Sequence, residues 1–344
     1  MRIAQLSTPH LPTPPVGYGA SELIASLITE ELVRRGHEVT LFAHHASVTS
    51  ARFFHFPEVE EVQRFDYREL AHVSRSLTLS DEFDVIHNHC LFAGPAMAAL
   101  RRTPCLSTLH YTHPVLACFP EHPYVAVSYA QKAVSSPLNV VGVVHNAIDL
   151  RLYHPSSVKK DYLLFLGRFH PNKGADLAIQ VADRLGARLL VAAPPPHPDQ
   201  QAYFDEEVEP FLGHSIEYLG EVTGEQKSSL LAEARCVLMP DRWEEPFGLV
   251  ALEAAASGTP VVATRKGALQ ELIVHGETGF LVDSVEEMVG ATRQVDSLSP
   301  GRCREHASTN FGVSRMVDGY LELYEQAIRG DLERMRPATQ PARR

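Results

Sequence analysis

Glu245 and Glu253 stand eight positions apart in RWEEPFGLVALEAAASGTPVVATRKGALQEL, on either side of a helix start at 246–248. The backbone N–H groups near Phe247, Gly248 and Leu249 are the orphan donors of that helix, and with the helix dipole they make an anion site suited to a diphosphate. A carboxylate accepts hydrogen bonds from two vicinal hydroxyls, so acids bracketing such a site suit a polyol attached to a phosphate. A single glutamate near a helix start is ordinarily only a favourable dipole contact; the surrounding pattern gives this pair its weight.

A second cluster lies in LFLGRFHPNKGADLAI, where a strand ends at Gly167-Arg168 and the following loop delivers Lys173-Gly174 to the next helix. Two cations at one strand end can stabilise negative charge that grows as a bond breaks. They would take the place of a metal, because the chain contains no Asp-x-Asp, the paired-carboxylate arrangement that holds Mg²⁺ or Mn²⁺ against a diphosphate. No metal-ligating residues are therefore assigned.

The amino-terminal loop PPVGYGASELI supplies Gly17 and Gly19 ahead of a helix whose expected N-cap is Ser21. Glycines there permit close backbone approach to a ligand. His110 ends the strand CLSTLH, where one imidazole can donate or accept a hydrogen bond at a reacting centre. His10 and the run His87-Asn88-His89-Cys90 contain zinc-ligand types, but no second ligand pair of recognisable spacing accompanies them.

These residues need strand ends to hold them. RIAQLS reads as a strand, followed by a Pro/Gly loop, a helix from about Ser21 to Arg35, and the strand HEVTLFA; this is a βαβ opening. Strand-like runs FDVIHNH, PCLSTLH, YVAVS and VVGVVHN follow, and after RLYHPSSVKK the pattern restarts with DYLLFLGR, ARLLVAA, IEYLGEV, CVLMP and TPVVAT. Such alternation predicts α/β architecture, with two doubly wound, Rossmann-like parallel sheets whose ligands sit beyond the carboxyl ends of the strands. The expected division is an acceptor-binding domain at 1–155, a nucleotide-sugar-binding domain at 156–311, a helix at 312–330 crossing back to the first domain, and a disordered tail at 331–344.

Glu-x7-Glu built on EPFGL, with SGTPVVAT and Gly267 behind it, resembles the donor-binding segment of the retaining glycosyltransferases of family 4, which have the two-domain GT-B fold. The EPFG frame selects Glu245 over Glu244. HNAIDLRLYHP resembles the family's Asn-Gly-Ile-Asp hinge, with Ala147 in the glycine position, and Tyr218-Leu219-Gly220 resembles the stretch whose backbone contacts the base. The loop with Gly17 and Gly19 resembles the glycine-rich loop near the donor phosphate, with Gly19-Ala20 where Gly-Gly is usual. The short first half also resembles some bacterial natural-product glycosyltransferases.

The resemblance implies two domains facing across a cleft and a metal-independent, retaining transfer from a nucleoside diphosphate sugar, UDP favoured over GDP, to a hydroxyl of a soluble acceptor. Glu245 would bind hydroxyls of the transferred sugar, Glu253 the ribose, Arg168 and Lys173 the diphosphate, Leu219 the base, and His110 the reacting sugar. No cofactor beyond the donor is implied. The rivals are a nucleotide-sugar epimerase or hydrolase and a non-catalytic nucleotide-sugar-binding protein.

Length and charge agree with this class. At roughly 150 residues per domain, 344 residues make about two domains. The net charge of −11, from 31 basic and 42 acidic residues, repels nucleic acid. Residues 1–155 hold 11 basic and 14 acidic side chains, without a cluster for anionic lipid. The five cysteines form no Cys-x-x-Cys pair, the amino terminus lacks a signal-peptide core, and no apolar run spans a bilayer, so a cytoplasmic location is expected.

Overall fold

Short apolar runs such as LLFL, CVLM and VVAT are buried along almost their whole length. Strands covered on both faces belong in parallel sheets. In the computed structural model, which describes residues 1–55, 67–91, 93–98 and 102–334, they form two such sheets. The first holds β1 (Arg2–Leu6), β2 (Glu38–Ala43), β3 (Arg52–His55), β4 (Val85–Asn88), β5 (Cys105–Leu109), β6 (Tyr124–Ala126) and β7 (Val140–Val143), in the order β3-β2-β1-β4-β5-β6-β7.

The second sheet holds β8 (Leu163–Leu166), β9 (Leu189–Ala192), β10 (Ile216–Gly220), β11 (Cys236–Met239), β12 (Val261–Thr264) and β13 (Gly279–Val282), in the order β10-β9-β8-β11-β12-β13. Every paired strand in both sheets runs parallel. In each sheet the order reverses beside its first strand, β1 or β8, which is where open α/β sheets gather ligands.

The chain divides into a first unit, Met1–Ala147 with Val313–Arg344, and a second unit, Ile148–Gly312. The boundary lies earlier than the expected 155/156. Composition marks 151–160 as a polar connector, but its start is tied into the second unit: the Arg304 guanidinium donates to Tyr153 O at 2.7 Å and, just before the segment, to Leu150 O at 3.2 Å. Ile148 N–H donates to Phe311 O at 2.9 Å, so the outgoing and returning chains lie side by side.

The helix Val313–Ile328 buries Met316, Val317, Tyr320, Leu323, Tyr324 and Ala327, one stripe at helical spacing. That stripe packs in the first unit. Leu323 lies against Gly142, where an added Cβ would meet its methyl groups at 3.0–3.1 Å, and Asp318 pairs with Arg35 at 2.6 Å. Two expectations differ locally. The helix Ala20–Arg34 is capped by Gly19 at φ 150°, without a side-chain cap, so Ser21 lies inside its first turn. Asp331–Arg334 is helical, with Leu332 buried, rather than part of a disordered tail; 335–344 lie outside the described residues.

Candidate donor and acceptor sites

In the second unit, β8 ends beside Gly167 and Arg168, and the loop turns through Pro171–Lys173 into the helix Ala175–Leu185. Gly174 caps that helix in the left-handed region at φ 69°, with Pro240 O only 2.3 Å from where a Cβ would sit. Only glycine lets this loop lie against the end of β11. The close approach sets Lys173 beside Asp241, at 3.2 Å from Nζ to Oδ1, and in an ion pair with Glu245 Oε2. Arg242 N–H donates to Asn172 O at 2.8 Å and ties the same two loops together.

Glu245 is held from a third side. Trp243 Nε1 donates to Oε2 at 2.9 Å, and the Trp243 ring lies 5.3 Å from Lys173 Nζ. Both donors use Oε2; among the described residues Oε1 has no partner. Burial works against the Lys173 charge, but Glu245 and Asp241 outweigh it and hold the ammonium protonated more firmly than usual. Burial, with the Glu245 charge adding to it, raises the Asp241 carboxyl to about 6 against the pull of Lys173.

Behind Glu245 lies Gly267, at φ 50°; a Cβ there would stand 2.3 Å from Glu245 O and 2.4 Å from its N. Ala268 N–H donates to Glu245 O at 2.9 Å, and Gly267 N–H donates to Glu244 Oε2 at 2.6 Å. Glu244 is thus exposed and occupied with a turn, whereas Glu245 is buried and faces Lys173. Two residues beyond Phe247 the helix Leu249–Ala256 begins, capped by Gly248 at φ 96° with no side-chain cap. Its first-turn amides and dipole point at the same strand end.

Glu253 is buried inside that helix. Its Oε1 accepts from Tyr153 Oη at 2.8 Å and from Lys227 Nζ at 2.6 Å, while Oε2 has no protein partner. Burial and the Glu253 charge raise the Tyr153 hydroxyl far above its ordinary range, so it stays a donor. Arg168 is half-buried at the end of β8, and its charge depresses His170, whose first cause of depression is burial. Leu219 is half-buried in β10 next to Tyr218, which stacks edge-on against Phe169 at 5.1 Å.

The remaining predicted residues belong to the first unit. Gly17 lies in an exposed bend between Val16 and Tyr18, which are 86% and 46% exposed. Gly19 needs its glycine: a Cβ would meet Pro15 Cβ at 2.8 Å. His110 follows β5, with Nε2 2.9 Å from His89 Nδ1, and burial lowers it to about 4, so the ring is neutral at pH 7. Among the described residues no group of three or more His, Cys, Asp or Glu could hold a metal ion, and no helix is long and apolar enough to cross a membrane.

The structure therefore brings together Lys173, Glu245 and the start of the helix carrying Glu253. It adds four residues that the sequence reading did not single out: Asp241, Trp243, Tyr153 and Lys227. Asp241 had a signal, since it follows directly on the strand-like run CVLMP, at a strand end where ligands gather. Tyr153 and Lys227 reach Glu253 across 100 and 26 residues of sequence, with no local pattern to mark them.

Two doubly wound parallel sheets, one with cations and acids gathered at its strand ends, define a nucleotide-sugar-dependent transferase of the GT-B class. The description "Glycosyl transferases group 1" matches residues 160–296, and "Glycosyltransferase Family 4" matches residues 21–190. The chain belongs to glycosyltransferase family 4, a retaining family with the GT-B fold. It is similar to AviGT4, a glycosyltransferase involved in avilamycin A biosynthesis, with 27% identity, a TM-score of 0.77, and 96% of this chain and 98% of that one covered.

D-inositol 3-phosphate glycosyltransferase of Mycolicibacterium paratuberculosis is 30% identical over 215 residues, 55% of this chain and 48% of that relative. The chain thus spans about half the length of that curated relative. HepE of Anabaena, solved in complex with UDP and glucose, shares the fold at 18% identity and a TM-score of 0.75, over 94% of this chain and 99% of that one.

Proposed function

We propose that this glycosyltransferase transfers a hexose from a UDP-sugar, without a metal, to a hydroxyl of a soluble acceptor, with retention at the anomeric carbon. The observation that carries the reading is the convergence of Lys173 and Glu245 beside the start of the helix Leu249–Ala256, which has no side-chain cap, one turn before the half-satisfied Glu253. Fixed cations and amides at that point complement a diphosphate, and two acids with one open oxygen each complement hydroxyls. UDP is favoured because HepE, which shares the fold, is solved with UDP.

In this reading the diphosphate lies against the amides of Phe247, Gly248 and Leu249, with Arg168 and Lys173 on its oxygens. Lys173, held by the carboxylates, faces the leaving phosphate where charge builds. Its partners keep it protonated at any working pH, and a buried cation already in place needs no reorganisation. Glu245 Oε1 accepts from the transferred sugar, Glu253 Oε2 from the ribose, and Leu219 lies along the base. Gly17 and Gly19 shape the loop next to the donor phosphate, and His110 bonds the transferred sugar. The acceptor hydroxyl attacks the face that the diphosphate leaves and gives its proton to a donor phosphate oxygen, so no protein nucleophile is consumed.

The test is a donor and acceptor panel assayed with EDTA present. The expected result is a product whose anomeric configuration matches the donor, with Glu245→Gln losing turnover more than donor affinity. Donor consumed equally fast without acceptor would mark a hydrolase or epimerase, and tight donor binding without turnover would mark a binding protein.

A further inference from the structure

The centre of the first unit contains a continuous chain of polar side chains that the proposed roles do not use. Gln5 on β1, His87 on β4, Thr108 on β5, and Tyr320 and Tyr324 on the helix Val313–Ile328 are all buried, as is His89 just beyond β4. His110 Nε2 lies 2.9 Å from His89 Nδ1, and His89 Nε2 lies 3.1 Å from Gln5 Oε1. The Gln5 amide nitrogen donates to Tyr324 Oη at 3.0 Å. Tyr324 Oη is 2.7 Å from His87 Nδ1, His87 Nε2 is 2.7 Å from Thr108 Oγ1, and Thr108 Oγ1 is 2.8 Å from Tyr320 Oη.

Burial holds His87 and His89 well below the ordinary imidazole range, so each ring is neutral and carries one proton. Counting those protons fixes the direction of the bonds from Gln5 through His89 to His110. Gln5 Oε1 only accepts, so His89 carries its proton on Nε2 and leaves Nδ1 bare. Bare Nδ1 accepts from His110 Nε2–H, which leaves His110 Nδ1 bare, with no partner among the described residues. On the other branch the Tyr324, His87, Thr108 and Tyr320 groups can each donate or accept, and they satisfy one another in either direction. The Gln5 amide oxygen can only accept, so its orientation sets the His89–His110 branch.

We infer that Gln5 and His89 are positioning residues that lock His110 as the Nε2–H tautomer, so that His110 offers Nδ1 as a hydrogen-bond acceptor to a substrate hydroxyl. The inference deepens the reading of His110 given above and rests on it for the substrate, but not for the tautomer. An acceptor at this point orients a hydroxyl by its own O–H, which a donating nitrogen cannot do. A ring tied at Nε2 is also held in plane before substrate arrives, which is how a fixed second partner sharpens a reacting group.

The test is long-range proton–nitrogen correlation on the full chain with nitrogen-labelled histidine, with His110 assigned through His110→Asn. In the wild type His110 should show a bare Nδ1 and a protonated Nε2; the opposite tautomer overturns the inference with no variant needed. Gln5→Leu and His89→Phe, each confirmed folded by circular dichroism, should mix the His110 tautomers and lower kcat about tenfold, as for loss of one oriented hydrogen bond, with donor KM within about twofold. An unmoved tautomer in both variants overturns the relay. A shifted tautomer with unchanged kcat overturns the substrate-facing role of His110, and with it the catalytic half of the inference, while leaving the donor reading intact.

Discussion

Among the described residues the first unit buries three histidines, His72, His87 and His89, and the second unit buries none of its own. The second unit buries four carboxylates, Asp176, Asp241, Glu245 and Glu253, and each meets a lysine or arginine: Arg242, Lys173 for the two middle ones, and Lys227; the two carboxylates buried in the first unit, Glu22 and Glu69, meet the Thr8 hydroxyl and His10. A buried charge persists only when paired, whereas a buried imidazole escapes the penalty by staying neutral. The contrast matches the proposed division of labour: fixed charge for a charged donor, neutral donors and acceptors for hydroxyls.

Acid should separate the two units most strongly. Burial lowers His72 and His110 to about 4 and His122 to about 3, below the ordinary 6.5. A depressed imidazole contributes stability that is complete above pH 6.5 and is lost as pH falls toward 4, on the order of 3 kcal/mol for His72 alone. Asp241, raised to about 6, has the opposite sign: its contribution is complete below about 3.8 and is lost as pH rises through 6. Between pH 6.5 and 4.5 the first unit should therefore melt while the second holds. The single tryptophan, Trp243, lies in the second unit and reports on it. Circular dichroism should lose amplitude at a higher pH than Trp243 fluorescence changes; coincident transitions would erase the contrast.

Lys173→Met should have the next largest effect, because it leaves Asp241 and Glu245 buried without their cation. About 3–5 kcal/mol of stability should go, and turnover should fall by roughly 10²–10³. Urea unfolding followed at Trp243 checks the first figure, and adding Asp241→Asn should restore part of the loss. A fully stable single variant would show that the charges are not what organises this strand end.

Glycines sharpen the comparison on a smaller scale. Gly267→Ala in the second unit forces a Cβ into the Glu245 backbone, where Gly36→Ala in the first, at φ 83°, meets nothing within 4 Å. Both pay for a left-handed backbone, about 1–2 kcal/mol, but only Gly267→Ala should also reduce turnover, by displacing Glu245. Equal activity losses would count against that role. Smallest is Tyr153→Phe, which removes one of two donors on Glu253 Oε1; donor KM should rise a few-fold with kcat unchanged, in line with about 1 kcal/mol for one hydrogen bond.

What the sequence reveals follows from how local each signal is. Strands such as LLFL and VVAT are legible because burial on both faces leaves a continuous apolar run, and the glycines at 174, 248 and 267 are legible as breaks beside those runs. Glu245 is distinguishable from Glu244 only through the EPFG frame that the family resemblance supplies. The connector at 151–160 reads as polar and is mostly exposed, but composition does not show that Tyr153 within it is buried, with its carbonyl held by Arg304. Gln5, His89 and Tyr324 are hidden for the same reason: 84 and 319 residues separate Gln5 from its two partners, and only the sheet order puts β1 beside β4 and the last long helix beneath them.

The central claim, that the second unit holds a nucleoside diphosphate with its own fixed cations and amides, is tested most directly by titrating UDP into the protein by calorimetry in EDTA. The account predicts saturable one-site binding that weakens at least tenfold in Arg168→Ala and in Lys173→Met, and that magnesium does not restore. Wild-type protein that takes up no UDP until a divalent ion is added, or variants that bind as tightly as wild type, would contradict it.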